Sequence, residues 1–195
     1  MFLPQLEDTM KAMRLIGLKQ MSMFEIPAPK IKTDYDVLIR MTHVGVCGSD
    51  VHYFNNGRIG KQIAEYPFTV GHEGAGIVEA VGAKVTKVKA GDRIAIDPAM
   101  PCGQCDQCLQ RRPHTCRKLR FLGCPKQAEG CLSEFIVMPE DSCFPLNEGI
   151  SQEEASLSEP LCVGYYGVKL SGMTPGMNLG ILGAGPIGLS VLVSA

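Results

Sequence analysis

Three residues in the first half of the chain carry side chains that commonly bind zinc: Cys47, His72 and Glu73. One thiolate, one imidazole and one carboxylate suit an open zinc site, which has three protein ligands and an exchangeable fourth position. His72 and Glu73 are adjacent, so in a plain strand they would point to opposite faces. Gly71 and Gly74 permit a sharp turn that would bring both to one ion. The pattern predicts a catalytic zinc, with a solvated surface pair as the alternative.

Polar residues cluster just after Cys47, at Ser49, Asp50 and His52. Ser49 could accept a proton from a zinc-bound hydroxyl group, and His52 could pass it to solvent. Asp50 could accept a hydrogen bond from the ligand His72 and orient it. Taken singly, the three would be ordinary turn or surface residues. Their clustering within five residues of a candidate ligand favours a proton relay.

A second group of metal ligands lies in one polar loop. Its members are Cys102, Cys105, Cys108 and Cys116. Four thiolates this close together can close a tetrahedral zinc site that has no position left for water, which makes the site structural. An iron–sulfur cluster is the alternative, but its usual motif places the fourth cysteine after three residues and follows it with proline. Here seven residues intervene and Arg117 follows.

A glycine motif near the end of the chain predicts a phosphate-binding turn. Gly183, Gly185 and Gly188 form G-x-G-x-x-G between an apolar run and a further apolar segment that has Pro186 near its start. A dinucleotide pyrophosphate binds at such a helix N-terminus. The acidic residue that contacts the ribose is expected about twenty residues further on, beyond Ala195.

The elements that must position these residues can also be predicted. Short alternating runs at 36–42, in three segments between 68 and 98, and at 132–138 predict strands of a barrel or sandwich. Ser151 and Glu154 form a capping box that opens a helix, and Pro160 suits the first position of a second helix ending near Gly172. The run 178–182, NLGIL, predicts a buried strand that enters the glycine motif.

Composition excludes some partners. The net charge is −1 without a basic stripe, which argues against nucleic acid. The first fifteen residues lack the pattern of a secretory signal, so the nine cysteines are expected to be reduced in a cytoplasmic protein. No charged residue follows Lys169, so a membrane anchor is the alternative for that segment. The density of glycine and proline in that segment argues against it, so no membrane partner is predicted.

Together these motifs resemble the zinc-containing medium-chain alcohol dehydrogenase family, and within it most closely the sorbitol and xylitol (polyol) dehydrogenases. The resemblance covers nearly all of residues 11–195. It depends on CGSDVHYF at 47–54, the GHE-x-x-G-x-x-x-x-x-G segment at 71–82, the four-cysteine loop, Glu159-Pro160-Leu161, and GAGPIG at 183–188.

The resemblance implies a β-rich GroES-like catalytic domain (α+β) followed by the start of a Rossmann α/β domain. The implied division is a tail at 1–10, the zinc-binding domain at 11–159, and a connecting helix with the first strand, turn and helix of the Rossmann domain at 160–195. One catalytic and one structural zinc would be bound together with NAD. The catalytic zinc would lower the pKa of the substrate hydroxyl, Ser49 and His52 would remove its proton, and hydride would pass to the nicotinamide.

The implied substrate is a polyol, whose secondary alcohol would become a ketose. Polyol branches carry a glutamate where many alcohol dehydrogenases have a third cysteine ligand, and Glu159 matches that position. Glu159 would bind the catalytic zinc directly or through water. A capping role at a helix start is the alternative. Threonine, butanediol and sugar-phosphate dehydrogenases share most of these motifs, so they remain open as substrate classes.

Family members continue through a complete nucleotide domain and are expected to be homo-oligomers at full length. The 195-residue chain alone is therefore expected to have no dehydrogenase turnover. A non-enzymatic, zinc-stabilised fragment or interaction module is the alternative from a different functional class.

Overall fold

A computed structural model describes residues 8–195. These residues contain twelve strands: β1 Thr9–Gly17, β2 Gln20–Pro27, β3 Asp36–Gly45, β4 Arg58–Ile59, β5 Gln62–Ile63, β6 Phe68–Thr69, β7 Glu73–Val81, β8 Arg93–Ile96, β9 Ala99–Met100, β10 Arg120–Phe121, β11 Phe135–Pro139 and β12 Cys143–Pro145. The α-helices are α1 Gly48–Asn56, α2 Asp106–Leu109, α3 Gln152–Ser156, α4 Ser158–Ser171 and α5 Pro186–Ser194, and short 3-10 turns cover Pro113–Thr115 and Glu140–Ser142.

The β-rich part of the described residues has two larger antiparallel sheets and two two-stranded ones, β10-β9 and β4-β5. The larger has the order β11-β3-β7-β8-β12 and the smaller the order β2-β1-β6. Alternate side chains of the central strands, such as Val37, Ile39, Val78 and Ile94, are almost fully buried in one apolar cluster. Burial of one face of each strand is what the alternating pattern predicts. The strands predicted at 36–42, within 68–98 and at 132–138 are thus confirmed.

Strand register sets up the first candidate site. β3 and β7 are antiparallel, and Gly45 at the end of β3 lies opposite Glu73 at the start of β7. Cys47 follows β3 by two residues and His72 precedes β7 by one. Because the carboxyl end of one antiparallel strand lies beside the amino end of its partner, residues 25 apart in the sequence meet at one edge.

Helix α3 begins as the sequence predicts. The Ser151 hydroxyl accepts the Glu154 backbone N–H at 3.1 Å, and the Glu154 carboxylate accepts the Ser151 N–H at 2.7 Å. The helix packs on the larger sheet through three small buried residues, Ala75, Ala95 and Ala155. α4 ends at Gly172, as predicted, in the left-handed conformation. Pro160 is its third residue rather than its first, because the helix begins at Ser158.

Two sequence-based expectations differ from the structure. The predicted tail at 1–10 includes Thr9 and Met10, which lie in β1 because that strand pairs with β2 from Thr9 onward. Residues 1–7 of the tail lie outside the described residues. The strand predicted at 178–182 is not formed, and Leu182 is fully exposed. A strand needs a neighbour for its backbone hydrogen bonds, and none lies beside this run within residues 8–195.

Within residues 8–195, no helix is both long enough and apolar enough to cross a bilayer.

Candidate metal centres

The side chains of Cys47, His72 and Glu73 converge. Their potential ligand atoms all lie within 4.8 Å of one another. Ligands of one tetrahedral zinc are about 3.3–3.7 Å apart, so small side-chain rotations suffice to bind an ion. His72 and Glu73 are each only 7% exposed. Buried ionisable groups are paired or bind metals, and the donor set fits zinc.

The backbone turn that brings His72 and Glu73 together occurs at Gly71. Its φ of +99° lies in a region that favours glycine. Gly74 has no such conformation, but an added Cβ there would lie 2.9 Å from Met41 Cε and 3.2 Å from Cys131 Sγ. Gly74 is therefore required by packing. The expected turn is confirmed at the first glycine and not at the second.

Neighbouring segments hold the backbone before His72 in place. Gly130 donates its N–H to the Thr69 carbonyl at 2.7 Å, Cys131 to that of Gly71 at 2.9 Å, and Leu132 to that of Val70 at 3.1 Å. Residues 69–71 thus have a three-bond ladder on one side. This ladder fixes the point from which the His72 side chain starts.

Asp50 links the two segments that carry the ligands. One carboxylate oxygen accepts the Cys47 backbone N–H at 3.0 Å, and the other accepts the Gly71 N–H at 3.1 Å. The distance from His72 Nδ1 to Asp50 Oδ1 is 3.8 Å, which is too long for a hydrogen bond. The sequence suggested that Asp50 orients His72 through a hydrogen bond, and the structure does not contain this hydrogen bond. Its carboxylate instead connects the backbone at Cys47 to the backbone at Gly71, because each oxygen accepts an N–H group from one of them.

The expected relay residues lie on α1. Ser49 and His52 are three apart in this helix, so both project from neighbouring positions on one side of it. Ser49 is half-buried and His52 is exposed, with Nδ1 of His52 3.4 Å from Asn56 Nδ2. Their order from half-buried to exposed fits a route from the site to solvent.

Glu159 lies in the first turn of α4, near the same site. Burial raises the pKa of its carboxyl group, and the charges of Glu73, Asp97 and Asp50 act in the same direction, whereas His72 acts against them. Glu159 is not part of the group whose ligand atoms lie within 4.8 Å. Its role as a zinc ligand stays a prediction.

The four cysteines of the polar loop also converge. The sulfur atoms of Cys105 and Cys108 are 3.6 Å apart, and those of Cys105 and Cys116 are 3.9 Å apart. Zinc–sulfur bonds of about 2.3 Å in a tetrahedron place sulfurs about 3.8 Å apart, so the spacing fits one zinc. All four sulfur atoms lie within 4.8 Å of one another.

Backbone and charged groups support this loop. Hydrogen bonds from the backbone N–H groups of Arg117 and Cys108 lower the pKa of the Cys105 thiol to about 6. Burial raises the pKa of Cys108 to about 12. The guanidinium of Arg117 binds both carboxylate oxygens of Asp106, at 2.6 and 2.7 Å. This bidentate pair joins the start of α2 to the residue after Cys116.

One aromatic contact was not foreseen. The ring of Phe121, in β10, lies 5.6 Å from the His72 imidazole, centroid to centroid, at an angle of 59°. Phe121 follows the last cysteine of the loop by five residues and is 49 residues from His72. No local pattern signals the contact, because it depends on the pairing of β9 with β10.

The glycine motif has a shape that suits a phosphate. Gly183 has a φ of +109°, Gly185 precedes the first turn of α5, and Pro186 is its first residue. An added Cβ on Gly188 would overlap the Gly183 carbonyl oxygen. The turn thus admits only glycine at two of its three positions, and the backbone N–H groups of the first helical turn are free for an anion.

A family model and several known proteins match this chain. Residues 33–148 match the family described as "Alcohol dehydrogenase GroES-like domain". The chain is 41% identical over 175 residues to "Probable D-xylulose reductase A" of Aspergillus fumigatus, which covers 90% of this chain and 49% of the relative. It is 39% identical over 188 residues to sorbitol dehydrogenase of Bacillus subtilis, covering 96% and 53%.

A solved structure shows the same architecture. Galactitol-1-phosphate dehydrogenase from Escherichia coli superposes with a TM-score of 0.86 at 31% identity, covering 94% of this chain and 51% of that one. The chain spans about half the length of the relatives it matches.

Proposed function

Because this chain belongs to the alcohol dehydrogenase family defined by its GroES-like domain, we propose that it is the catalytic part of a zinc-dependent dehydrogenase that oxidises a polyol with NAD. The observation that carries the proposal is the convergence of Cys47, His72 and Glu73 within 4.8 Å. Three ligands leave one position for the substrate oxygen. Two relatives are named as a xylulose reductase and a sorbitol dehydrogenase, which supports a polyol as the substrate.

Zinc in this site supplies a Lewis acid that lowers the pKa of a bound hydroxyl group, and NAD supplies the hydride acceptor. The chain's own residues bind and orient these groups. Cys47, His72 and Glu73 hold the metal, and Glu159 is the proposed additional ligand, direct or through water. The proposed structural zinc is bound by the four thiolates of Cys102, Cys105, Cys108 and Cys116. Gly183, Gly185, Pro186 and Gly188 receive the pyrophosphate of the nucleotide.

Removal of the hydroxyl proton is assigned to α1. Ser49 accepts the proton at Oγ while passing its own to His52, and His52 releases it to solvent. The position of these residues one helical turn apart supports the assignment.

The proposed division of the chain places catalysis in residues 11–159 and nucleotide binding from residue 160 onward. Homo-oligomer formation is proposed from the family resemblance. A cytoplasmic location is supported by the cysteines. All nine lie within the described residues, and none forms a disulfide.

A sugar phosphate is the second candidate substrate. The structural similarity to galactitol-1-phosphate dehydrogenase favours it. Both substrate classes carry a secondary hydroxyl beside further hydroxyl groups, so both suit the same open metal site. They differ in charge, which an assay can resolve.

Cobalt substitution at the open site tests the proposal without requiring hydride transfer. Xylitol and sorbitol are expected to change the visible spectrum of the cobalt-loaded chain in a saturable way, and ethanol, which has no neighbouring hydroxyl groups, is not. A response to galactitol 1-phosphate alone would favour the second candidate. No response to any alcohol, with cobalt bound, would contradict the proposal. Initial rates of NADH formation with the same polyols then measure turnover in the full-length protein.

A further inference from the structure

The two metal centres are joined by one short segment, residues 120–123. Its Phe121 ring packs on the imidazole of His72 at 5.6 Å. Two residues later, Gly123 has a φ of +70°, and an added Cβ there would lie 2.7 Å from the carbonyl oxygen of Gly71. The segment therefore contacts both the ligand His72 and the backbone residue that precedes it.

The backbone of Gly71 is restrained from opposite directions. Gly123 packs against it from the segment that follows the four-cysteine loop. On the other side, Gly71 donates its backbone N–H to Asp50, which also accepts the Cys47 N–H. A displacement of residues 120–123 would thus reach two of the three ligands of the open site, His72 directly and Cys47 through Asp50.

The same segment closes the four-cysteine loop. β9 and β10 pair as Ala99 with Phe121 and Met100 with Arg120. Beyond the pair, Leu122 donates its N–H to the Pro98 carbonyl at 3.0 Å and is itself buried. Cys102 lies two residues after β9, and Cys116 lies four residues before β10. The backbone N–H of Cys102 also reaches the sulfur of Cys116 at 3.2 Å.

A metal held by the four sulfurs fixes the spacing of these two strands. Without it, four thiol or thiolate groups within 4.8 Å of one another have no common partner, and two-residue strands supply few hydrogen bonds of their own. The position of Phe121 therefore depends on the state of the cysteine loop. Removing a hydrogen-bonding partner of a metal-binding histidine commonly lowers metal affinity by about 10- to 100-fold, and loss of the Phe121 ring is expected to act in the same direction at the lower end of that range.

We propose that the two metal sites are energetically coupled through Phe121, which acts as a positioning residue for His72. A metal in the four-cysteine site tightens metal binding at Cys47, His72 and Glu73. Because coupling of two binding equilibria is reciprocal, a metal in the open site tightens the cysteine site by the same factor. The inference rests on the two metal sites of the proposed function.

Cobalt affinity at the open site is the measured quantity. Apo protein receives one equivalent of zinc, which fills the four-thiolate site, and is then titrated with Co²⁺ while the visible spectrum is recorded. Phe121→Leu is expected to weaken this cobalt binding about 10-fold. Phe121→Tyr keeps the ring and is expected to stay within about 2-fold. Phe144→Leu is the matched control, since Phe144 lies exposed on β12.

A double-mutant cycle separates coupling from general destabilisation. Cys108→Ser disables the cysteine site, so this variant and the double variant are titrated with cobalt without added zinc, and Cys108→Ser is expected to weaken cobalt binding at the open site by a factor similar to that of Phe121→Leu. If the effect passes through Phe121, the double variant is no weaker than Cys108→Ser alone. If the two single variants weaken cobalt binding by factors whose product equals the loss in the double variant, the two substitutions act independently and the proposal is overturned.

The remaining outcomes are also decisive. Equal cobalt affinity in Phe121→Leu and the unaltered chain, with two metals bound in each, would overturn the coupling and leave the proposed function intact. Failure of the unaltered chain to bind a second metal at all would overturn both.

Discussion

Two residues that are not among the proposed metal ligands, Asp50 and Gly45, help to position the ligands of the proposed open site. Asp50 joins the backbones of Cys47 and Gly71. Gly45 leaves room for the Glu73 side chain, because an added Cβ would overlap Glu73 Oε2 and lie 2.9 Å from Glu73 Cβ. Both act on the position of a ligand rather than on the metal.

Gly45→Ala is therefore expected to displace the Glu73 carboxylate and lower cobalt affinity at the open site by about 100-fold. The cysteine site should still bind zinc, because its four thiolates are unaltered, even where the coupling proposed above lowers its affinity while the open site is empty. Gly48→Ala is the matched control, since nothing lies within 4 Å of its added Cβ. Equal metal affinities of the two variants, measured by cobalt titration, would show that Glu73 is not a ligand.

Asp36 stabilises the start of β3. Burial raises the pKa of its carboxyl group, but hydrogen bonds from the Lys32 backbone and from Thr33 outweigh that effect and hold the pKa below the ordinary value. Since the folded-state pKa is the lower one, the stabilisation is fully present above the unfolded pKa of about 3.9. It is lost as pH falls below that value toward the folded pKa.

Asp36→Asn should therefore lower the free energy of unfolding at pH 7 by about 1 kcal/mol. Its stability should also depend less on pH between about 5 and 3. Urea denaturation at several pH values measures both effects. Asp34→Asn serves as the control, because the side chain of Asp34 makes an exposed ion pair with Lys84, which is expected to contribute little. Parallel pH curves for Asp36→Asn and the unaltered chain would contradict the assignment.

At the scale of elements, α3 is a short helix whose stability depends on its cap. It has only five residues, too few to form in isolation. The Ser151–Glu154 capping box and the contact of Ala155 with the sheet both stabilise it. α3 also leads directly into α4, which carries Glu159.

Ser151→Ala removes the acceptor for the Glu154 N–H and is expected to lower the free energy of unfolding by about 1 kcal/mol. Ser151→Thr retains a hydroxyl group and should lose less. Urea denaturation measures the difference. Equal stability of the alanine variant and the unaltered chain would mean that packing of Ala155 alone holds the helix.

Packing between α4 and α5 is close. An added Cβ on Gly164 would lie 2.5 Å from the Ser190 carbonyl carbon and 2.6 Å from the Val191 nitrogen. The two helices thus touch through backbone atoms, which only glycine at this position allows. The sequence showed a helix here but did not single out Gly164.

For the whole molecule, metals are expected to contribute to stability. Free zinc at 100 times the dissociation constant stabilises the folded chain by about 2.7 kcal/mol for each site, so removing one zinc should lower Tm by about 5–10 °C and removing both by about 10–20 °C. Calorimetry with and without a chelator, together with zinc analysis, measures this. An unchanged Tm after verified loss of two zinc ions per chain would contradict it.

Local pattern was sufficient for several features of this protein. Alternation of apolar residues predicted the strands around β3, β7 and β11, and the capping box predicted α3, because each depends on residues close in the sequence. The cysteine spacing predicted the four-thiolate cluster for the same reason, and its sulfur atoms do converge.

Tertiary structure decided what depends on distant partners. The strand predicted at 178–182 has no neighbour among the described residues and does not form, since a strand exists only by pairing. Asp50 binds two backbones rather than His72, and Phe121 packs on His72 from 49 residues away. Sequence spacing determined which ligands this chain offers. Strand register and side-chain packing determined which residues hold those ligands in place, because such contacts join segments that no local pattern relates.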